Sequence, residues 1–472
     1  MKNESETLIP AAGNALPTAS SEALPDMTVE DVRGLLETTE KGQVKSCLTN
    51  AVTILSHDPL LRDSIRYNEL TQRVDIVKPM GWERRDGQAL VDNDLHNIHY
   101  YCETTYGVSA LNTIEEAVHI TANRNAYHPV RDFLNSLEWD GTPRVRYALH
   151  HFLGADDSDY TCEILQAFML GAIARVFNPG SKFDYIICVV GAQGVGKSTF
   201  FRLLAVDDDW FTDDLKDLES GKVYEKLQGH WIVELSEMLA TNNAKSNEAI
   251  KSFLSRQKET YRTPYERYPK DRPRQCVFAG TTNKISFLPS DRTGNRRFLP
   301  IACQESEAEV FILDDEKASR EYIRQMWAEV MEIWRSGKFR LKLSPEIEAE
   351  VRQRQRQFMQ EDVDAGQILA YMLDYKGDKV CSRQLFREAL HIEFVHPQRW
   401  QTNEINDIMN QLIRDGRLAG WRRFDKPRRF TGTDYGNQKG WERIPDPVRD
   451  VYEGVSTDAC FYPVTLDDEL PF

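Results

Sequence analysis

The sequence predicts an α/β fold built on a phosphate-binding loop, with a mainly helical region before it and a winged-helix-like domain after it. Three observations support this prediction. A glycine-rich turn at 191–198 directly follows the apolar run 185–190, and two later apolar runs end in polar residues. Helical apolar spacing dominates the chain before the turn, and short helical patterns with a basic hairpin precede the acidic tail. Alternating strand and helix patterns are typical of a parallel sheet.

Composition sets limits on the class of protein. The chain has 472 residues, a net charge of −15 and eight cysteines that form no C-x-x-C pair. We therefore expect a cytoplasmic protein of several domains, without structural zinc and without a membrane segment. The apolar stretch 160–177 contains charged residues, which favours a core helix.

The amino-terminal region is expected to be helical after a short leader. Residues 1–27 are rich in Ser, Thr, Ala and Pro and are interpreted as disordered. A helix is expected to begin at Thr28, where acidic residues follow, and 65–77 has the alternation of a short hairpin. Asp92 and Asp94 form a D-x-D pair that we interpret as part of a solvated loop, not as a metal site.

The glycine-rich turn matches G-x-x-x-x-G-K-[ST]. In this motif backbone N–H groups surround phosphates, the lysine reaches the β- and γ-phosphates, and the hydroxyl binds Mg²⁺. Strand and helix patterns on either side favour this interpretation over a chance glycine turn. The sequence thus predicts ATP and Mg²⁺ as cofactors, bound by Gly191, Ala192, Gln193, Gly194, Val195, Gly196, Lys197, Ser198 and Thr199.

Two glutamates end the next apolar run. Glu234 and Glu237 follow the run 230–233. We assign Glu234, with Ser198, to Mg²⁺ and Glu237 to the polarisation of the attacking water. Two glutamates three residues apart are equally typical of a helix first turn, and which of them is catalytic stays open.

Further candidates follow another apolar run. The run 275–280 leads to Asn283, an amide placed to sense the γ-phosphate. Arg296 and Arg297 precede the strand pattern 298–301, where either arginine is a candidate to reach a neighbouring subunit's phosphates. Together with Lys197, these residues complete the predicted catalytic set.

Basic residues are concentrated between Lys251 and Arg297, a segment that contains twelve basic and four acidic residues. Interleaved cations and aromatic rings are typical of single-strand binding, although an exposed charged hairpin has the same composition. The predicted DNA contacts here are Lys258, Tyr261, Arg262, Tyr265, Arg267, Tyr268, Lys270 and Arg272.

The carboxyl-terminal part has the pattern of a winged helix. Helical patterns at 368–373, 383–390 and 404–414 accompany a short strand at 379–381 and a basic hairpin. Such a module binds either DNA or another protein. We assign DNA contacts to Arg422, Arg423, Arg428 and Arg429.

The acidic tail ends in an apolar tip. Its final residues resemble the carboxyl-terminal tip of bacterial single-stranded-DNA-binding proteins, and that resemblance implies binding to host replication proteins; an inert acidic tail is the alternative. The candidate partner contacts are Asp467, Asp468, Glu469, Leu470, Pro471 and Phe472.

The order of these motifs resembles superfamily 3 helicases and, more closely, the virulence-associated protein E family of phage and genomic-island ATPases. The segments 231–237, 280–283 and 294–301 carry the resemblance, with support from 128–129 and 139–141. The resemblance implies an AAA+-like core that acts as a ring, often a hexamer, on replicating DNA. Two differences stand out: the acidic pair is not contiguous, and the region before the core has no zinc ligands or acidic triad for a primase.

We therefore predict an ATP-dependent DNA helicase or replication-initiation ATPase of a prophage or mobile genetic island, with single-stranded or forked DNA as partner. The alternatives are an ATP-hydrolysing regulatory or defence switch without unwinding, and a nonenzymatic origin-binding module. The predicted divisions are a leader (1–27), an N-terminal α+β domain (28–150), a P-loop ATPase core (151–304), a helical lid or collar (305–360), a winged-helix-like domain (361–444) and a flexible acidic tail (445–472).

Overall fold

The structure is a computed structural model. It describes residues 27–85, 87–215, 223–235, 244–261, 268–288, 295–359, 363–392, 397–430 and 435–444. The chain divides into two compact units, Met1–Gln360 and Glu361–Phe472.

The first unit begins with helices around a small hairpin. Its described elements here are α1 (Val29–Leu35), α2 (Leu48–His57), β1 (Ile65–Asn68), β2 (Arg73–Ile76), α3 (Asp92–Tyr106) and α4 (Leu111–Arg124). The helix start at Thr28 is confirmed, because Thr28 and Asp31 form a capping box. The expected hairpin is also present, since β1 and β2 pair antiparallel.

The solvated-loop prediction for Asp92 and Asp94 is wrong. Both residues lie in the first turn of α3, and Asp94 is only 1% exposed. Its carboxylate accepts hydrogen bonds from Trp82 Nε1 and Arg84 Nε, each at 2.9 Å. A buried ion pair with Arg84 compensates the burial of this charge, which a local sequence pattern cannot reveal.

The remainder of the first unit is organised on a parallel sheet. In chain order its elements are α5 (Pro129–Asn135), α6 (Ala148–Leu153), α7 (Asp159–Phe177), β3 (Ile186–Val190), α8 (Lys197–Leu204), β4 (Phe211–Thr212), α9 (Val223–Leu227), β5 (Ile232–Glu234), α10 (Ala244–Leu254), β6 (Lys258–Tyr261), β7 (Lys270–Pro273), β8 (Val277–Thr282), β9 (Phe298–Ala302), α11 (Glu316–Ser336) and α12 (Pro345–Gln355).

The parallel sheet has five strands in the order β4-β5-β8-β3-β9. Strand β3, which lies between β8 and β9, is buried along its whole length, as its unbroken apolar sequence predicts. Val190 at its end lies opposite Thr282 of β8, and Glu234 of β5 lies opposite Ala279 of the same strand. The carboxyl ends of β3, β5 and β8 therefore meet at one edge of the sheet.

Two long helices pack into the core of this sheet. Helix α7 is the one described helix long and apolar enough to cross a membrane, but 78% of its apolar window is buried inside the protein, which confirms the predicted core helix. In α11, Trp327 donates its indole hydrogen to Leu204 O at 2.9 Å and stacks on Trp231 with ring centroids 4.4 Å apart. Helix α11 thus shares the hydrophobic core of the sheet.

The second unit combines helices with a small antiparallel sheet. Its described elements are α13 (Val363–Asp374), β10 (Lys379–Cys381), α14 (Ser382–Gln384), which continues as the π-helical turn Leu385–Ala389, α15 (Arg399–Arg414), β11 (Trp421–Phe430) and β12 (Gly436–Arg443). The sheet order is β10-β12-β11. Fully buried Trp441 of β12 packs into the hydrophobic cluster of this unit.

These elements confirm the predicted mixed α/β class with a parallel sheet. The ATPase role of the glycine-rich turn, the winged-helix assignment of the second unit and the finer domain divisions stay predictions.

Candidate active site

The glycine-rich turn joins β3 to α8 in a conformation that its glycines make possible. Gly194 and Gly196 have φ angles of +97° and +90°, in the left-handed region that other residues rarely adopt. At Gly191 a Cβ atom would lie only 2.7 Å from the carbonyl oxygen of Cys303. Gly196 is also the N-cap of α8 and offers no side-chain cap. The first-turn N–H groups of α8 are therefore suited to an anion.

Lys197 is held against the turn by oxygen acceptors. Its ammonium donates hydrogen bonds to Gly191 O at 2.9 Å, to Ala192 O, and to Asn283 Oδ1 at 3.1 Å. Burial lowers the pKa of Lys197 from its ordinary value. The pairing of β3 with β8 brings Lys197 and Asn283 together across 86 positions of sequence.

Glu234 is the second ionisable group at this edge and is fully buried. Ser198 Oγ donates a hydrogen bond to its Oε1 at 2.7 Å, and Thr281 Oγ1 donates to the same oxygen. Burial raises the pKa of Glu234, and the two hydroxyl hydrogen bonds oppose that rise. Its other oxygen, Oε2, is buried without a hydrogen-bond partner among the described residues.

The Ser198 and Glu234 pair fits a magnesium ion. Mg²⁺ prefers hard oxygen ligands and is commonly bound through one or two carboxylates together with substrate phosphates. A buried carboxylate with one unpartnered oxygen, beside a hydroxyl and the glycine-rich turn, supplies such oxygen donors.

Thr281 is a site residue that sequence reasoning missed. It is 5% exposed and lies near the end of β8, two residues before Asn283. The sequence did contain a signal for this residue, because two threonines end the apolar run of β8. Ligands commonly bind at the carboxyl ends of parallel strands, so polar residues at such an end are candidate site residues.

The arginines lie at the other end of the sheet. Ile186, which begins β3, pairs with Phe298, and Arg296 and Arg297 come immediately before Phe298. Since β3 has five residues, its first and last residues are roughly 13 Å apart at about 3.3 Å per residue. The arginines therefore lie far from the glycine-rich turn of their own chain.

The two arginines differ in their surroundings. Arg297 Nε lies 3.2 Å from Asp184 Oδ2 and donates a hydrogen bond to Ser255 Oγ at 3.1 Å. Arg296 is exposed, and no hydrogen bond or ion pair engages its guanidinium within the described part of the chain. Of these two arginines, Arg296 is the one that is exposed to solvent.

The basic hairpin of β6 and β7 exposes some of its predicted DNA contacts and buries another. Lys258, Tyr268 and Lys270 are exposed, and Lys258 forms an ion pair with Asp271. Tyr261 is half-buried, with the guanidinium of Arg272 4.7 Å from its ring centroid.

Arg272 itself requires a correction. It is 7% exposed and hydrogen-bonds to Gln72 of the amino-terminal hairpin, so its guanidinium stabilises contacts inside the protein and does not face DNA.

The basic strand of the second unit is exposed. Arg422 and Arg428 both contact the carboxylate of Glu442, the former at 3.0 Å. Arg423 and Arg429 are exposed and have no ion-pair partner within the described ranges.

Ten of the predicted site residues lie outside the described residues. They are Glu237, Arg262, Tyr265, Arg267, Asp467, Asp468, Glu469, Leu470, Pro471 and Phe472.

Comparison with known proteins adds one informative likeness. Residues 134–360 match the family model described as the virulence-associated protein E-like domain. No curated protein matches the chain significantly. Two solved structures described as the A form apo structure of the NrS-1 C-terminal region, one specified as 305–718, share 13% identity, with TM-scores of 0.41 and 0.37. Each alignment covers 81% of this chain and 96% of the other, but at such TM-scores neither bears on fold or function.

Proposed function

Residues 134–360 belong to the virulence-associated protein E-like domain family, and from that premise we propose that this chain is a DNA-dependent ATPase, a helicase or replication-initiation protein of a prophage or mobile genetic island. One observation carries the proposal: Lys197, Asn283, Ser198 and Glu234 converge at one edge of a parallel sheet. The arrangement combines a cation, an amide and a carboxylate beside a helix start, which suits phosphoryl chemistry.

Each residue has a role in this proposal. Lys197 exchanges its carbonyl acceptors for β- and γ-phosphate oxygens, and the first-turn N–H groups of α8 bind the same phosphates. Asn283 holds the Lys197 ammonium and orients the attacking water, with Glu237 as the proposed base. Ser198 and Glu234 hold Mg²⁺, which when bound neutralises charge that develops on the phosphates.

We expect Glu234→Gln to stabilise the fold while it lowers ATP hydrolysis by at least roughly 10². Burial raises the pKa of Glu234, so the folded protein disfavours the ionised form. The wild type therefore loses stability as pH rises through this raised pKa, whereas the glutamine variant does not. Thermal unfolding measured at intervals from pH 4.5, the ordinary pKa of a glutamate, up to pH 8, without nucleotide or Mg²⁺, compares the two proteins over the whole range.

Glu103→Gln, at an exposed position of α3, is the matched control and should change neither quantity. If Glu234→Gln leaves hydrolysis intact, Glu234 does not hold the metal.

The exposed hairpin lysines support DNA as the partner. We expect Lys270→Glu to weaken single-stranded DNA binding and to reduce the slope of log Kd against log salt by about 1, because one phosphate contact is lost. ATPase activity without DNA should not change. Lys338→Glu, which makes the same charge change at another exposed position of the unit, is the control. Equal effects of the two variants contradict a specific contact at the hairpin.

Strand displacement on forked DNA, measured beside DNA-stimulated ATP hydrolysis, tests the proposal as a whole. Hydrolysis with displacement supports a helicase. Hydrolysis without displacement favours a regulatory or defence switch, and a wild-type protein that hydrolyses no ATP overturns the proposed function.

A further inference from the structure

A cleft of about 480 Å³ opens beside the phosphate-binding turn, a volume typical of small-molecule sites. Its lining includes His151, Val195, Glu309, Phe311 and Tyr322. We refer to it as the lateral cleft. Val195 belongs to the phosphate-binding turn, so the lateral cleft and the turn are continuous.

The segment after β9 forms one wall of the lateral cleft and packs directly on the turn. A Cβ atom at Gly196 would lie 3.3 Å from Ile312 Cγ2 and 3.7 Å from Phe311 Cε2. Strand β9 flanks β3 on one side, whereas β8 and the Lys197–Asn283 contact lie on the other. The segment after β9 and the Lys197–Asn283 contact therefore flank the turn from opposite sides.

This wall is held in place by the backbone. The N–H groups of Glu309 and Val310 donate hydrogen bonds to His151 O at 3.1 and 3.2 Å. At Gly154 a Cβ atom would lie 1.9 Å from Gln304 O, so only glycine permits this approach. A preformed wall reduces the entropy lost when a ligand is ordered.

The lining contains aromatic surfaces. His151 stacks on Tyr322 with ring centroids 4.9 Å apart and planes 8° apart. Phe311, which lines the cleft, is 40% exposed, so a ligand in the cleft can cover its ring.

The lining also carries charge of one sign. Glu305, Glu309, Asp314 and Asp315 line the cleft, and the described lining includes neither lysine nor arginine. His151 hydrogen-bonds to Glu309 and thereby lowers the pKa of that carboxyl, which stays ionised. Carboxylates repel phosphate and accept hydrogen bonds from amino and hydroxyl groups.

We propose that the lateral cleft binds the nucleoside part of the substrate, with the base against Phe311 and the amino or ribose hydroxyl groups facing the carboxylates. This inference rests on the proposed function, because it takes the phosphates to lie at Lys197. It adds a base-recognition site formed by α6, the segment after β9 and α11.

Calorimetric binding of ATP and of tripolyphosphate, which has no nucleoside, tests the proposal. We expect Phe311→Ala to weaken ATP binding roughly 5- to 150-fold, as loss of one stacked ring does, and to leave tripolyphosphate binding unchanged. Leu313→Ala is the matched control, since Leu313 is 41% exposed in the same segment but does not line the cleft. Phe311→Tyr, which keeps the ring, should bind ATP as the wild type does.

The outcomes separate this inference from the proposed function. If wild-type protein binds neither ligand, both fail. If wild type binds ATP but Phe311→Ala binds it equally well, or loses ATP and tripolyphosphate to the same extent, only the lateral cleft inference is overturned.

Discussion

Lys197→Ala is expected to abolish ATP hydrolysis, with a loss of at least about 10²–10³ in rate, since it removes a cation aimed at the charge that develops on the phosphates. Lys197 is buried among the carbonyl oxygens of the turn and the Asn283 amide, which hold its ammonium at the start of α8. Phosphate release from ATP under saturating nucleotide is the measurement.

Folding provides the necessary check on this variant. Burial lowers the pKa of Lys197, which means that the folded state disfavours its charged form. Replacement of the Lys197 side chain by alanine should therefore leave the melting temperature near that of the wild type. Lys338→Ala, at an exposed position, is the control and should hydrolyse ATP normally. Normal turnover by Lys197→Ala excludes the proposed phosphate site.

The second large effect is expected at Arg296. We expect Arg296→Ala to retain nucleotide binding and to lose about 10³–10⁵ in hydrolysis, as for an arginine that acts on a neighbouring subunit's phosphates. Two observations favour Arg296 over Arg297 for this role. Arg296 is exposed, whereas Arg297 is engaged by Asp184 and Ser255. We expect Arg297→Ala chiefly to lower the melting temperature.

Mixing Lys197→Ala with Arg296→Ala tests the shared site directly. In a ring, an interface is competent when the Arg296→Ala subunit supplies the turn and the Lys197→Ala subunit supplies the arginine. At equal amounts about one quarter of interfaces satisfy this condition, so about a quarter of wild-type activity should return. Activity that stays at the level of the single variants at every ratio, with exchange verified, contradicts a site shared between subunits.

Local sequence patterns were sufficient for most of the elements that position the site. The runs that become β3, β5, β8 and β9 are apolar because strands buried on both faces have no polar side. The motif at 191–198 likewise required no tertiary information, since the spacing of its glycines and lysine is read from eight consecutive residues.

Other features depended on contacts distant in sequence. Asp94 lies in a polar stretch of sequence, and no residue pattern there indicates that Trp82 and Arg84 hydrogen-bond to its carboxylate. For this reason the sequence predicts a loop where the structure has the start of a helix. Arg272 has the sequence context of a surface cation, yet it hydrogen-bonds to Gln72, 200 positions earlier. Local composition cannot distinguish an arginine that faces solvent from one that joins two parts of a fold.

The sequence by itself determined the α/β class, the glycine-rich motif and the candidate residues Lys197, Glu234 and Asn283, because strand burial and glycine conformations are local properties of the chain. Only the tertiary structure decided that strand order brings Glu234, Thr281 and Ser198 into contact, and that the arginines lie at the opposite end of the sheet. It also formed the lateral cleft, whose walls come from α6, α11 and the segment after β9. The physical reason is that strand order and helix packing depend on the free energy of the whole core. Contacts between residues distant in sequence contribute to that free energy, so no local pattern encodes it.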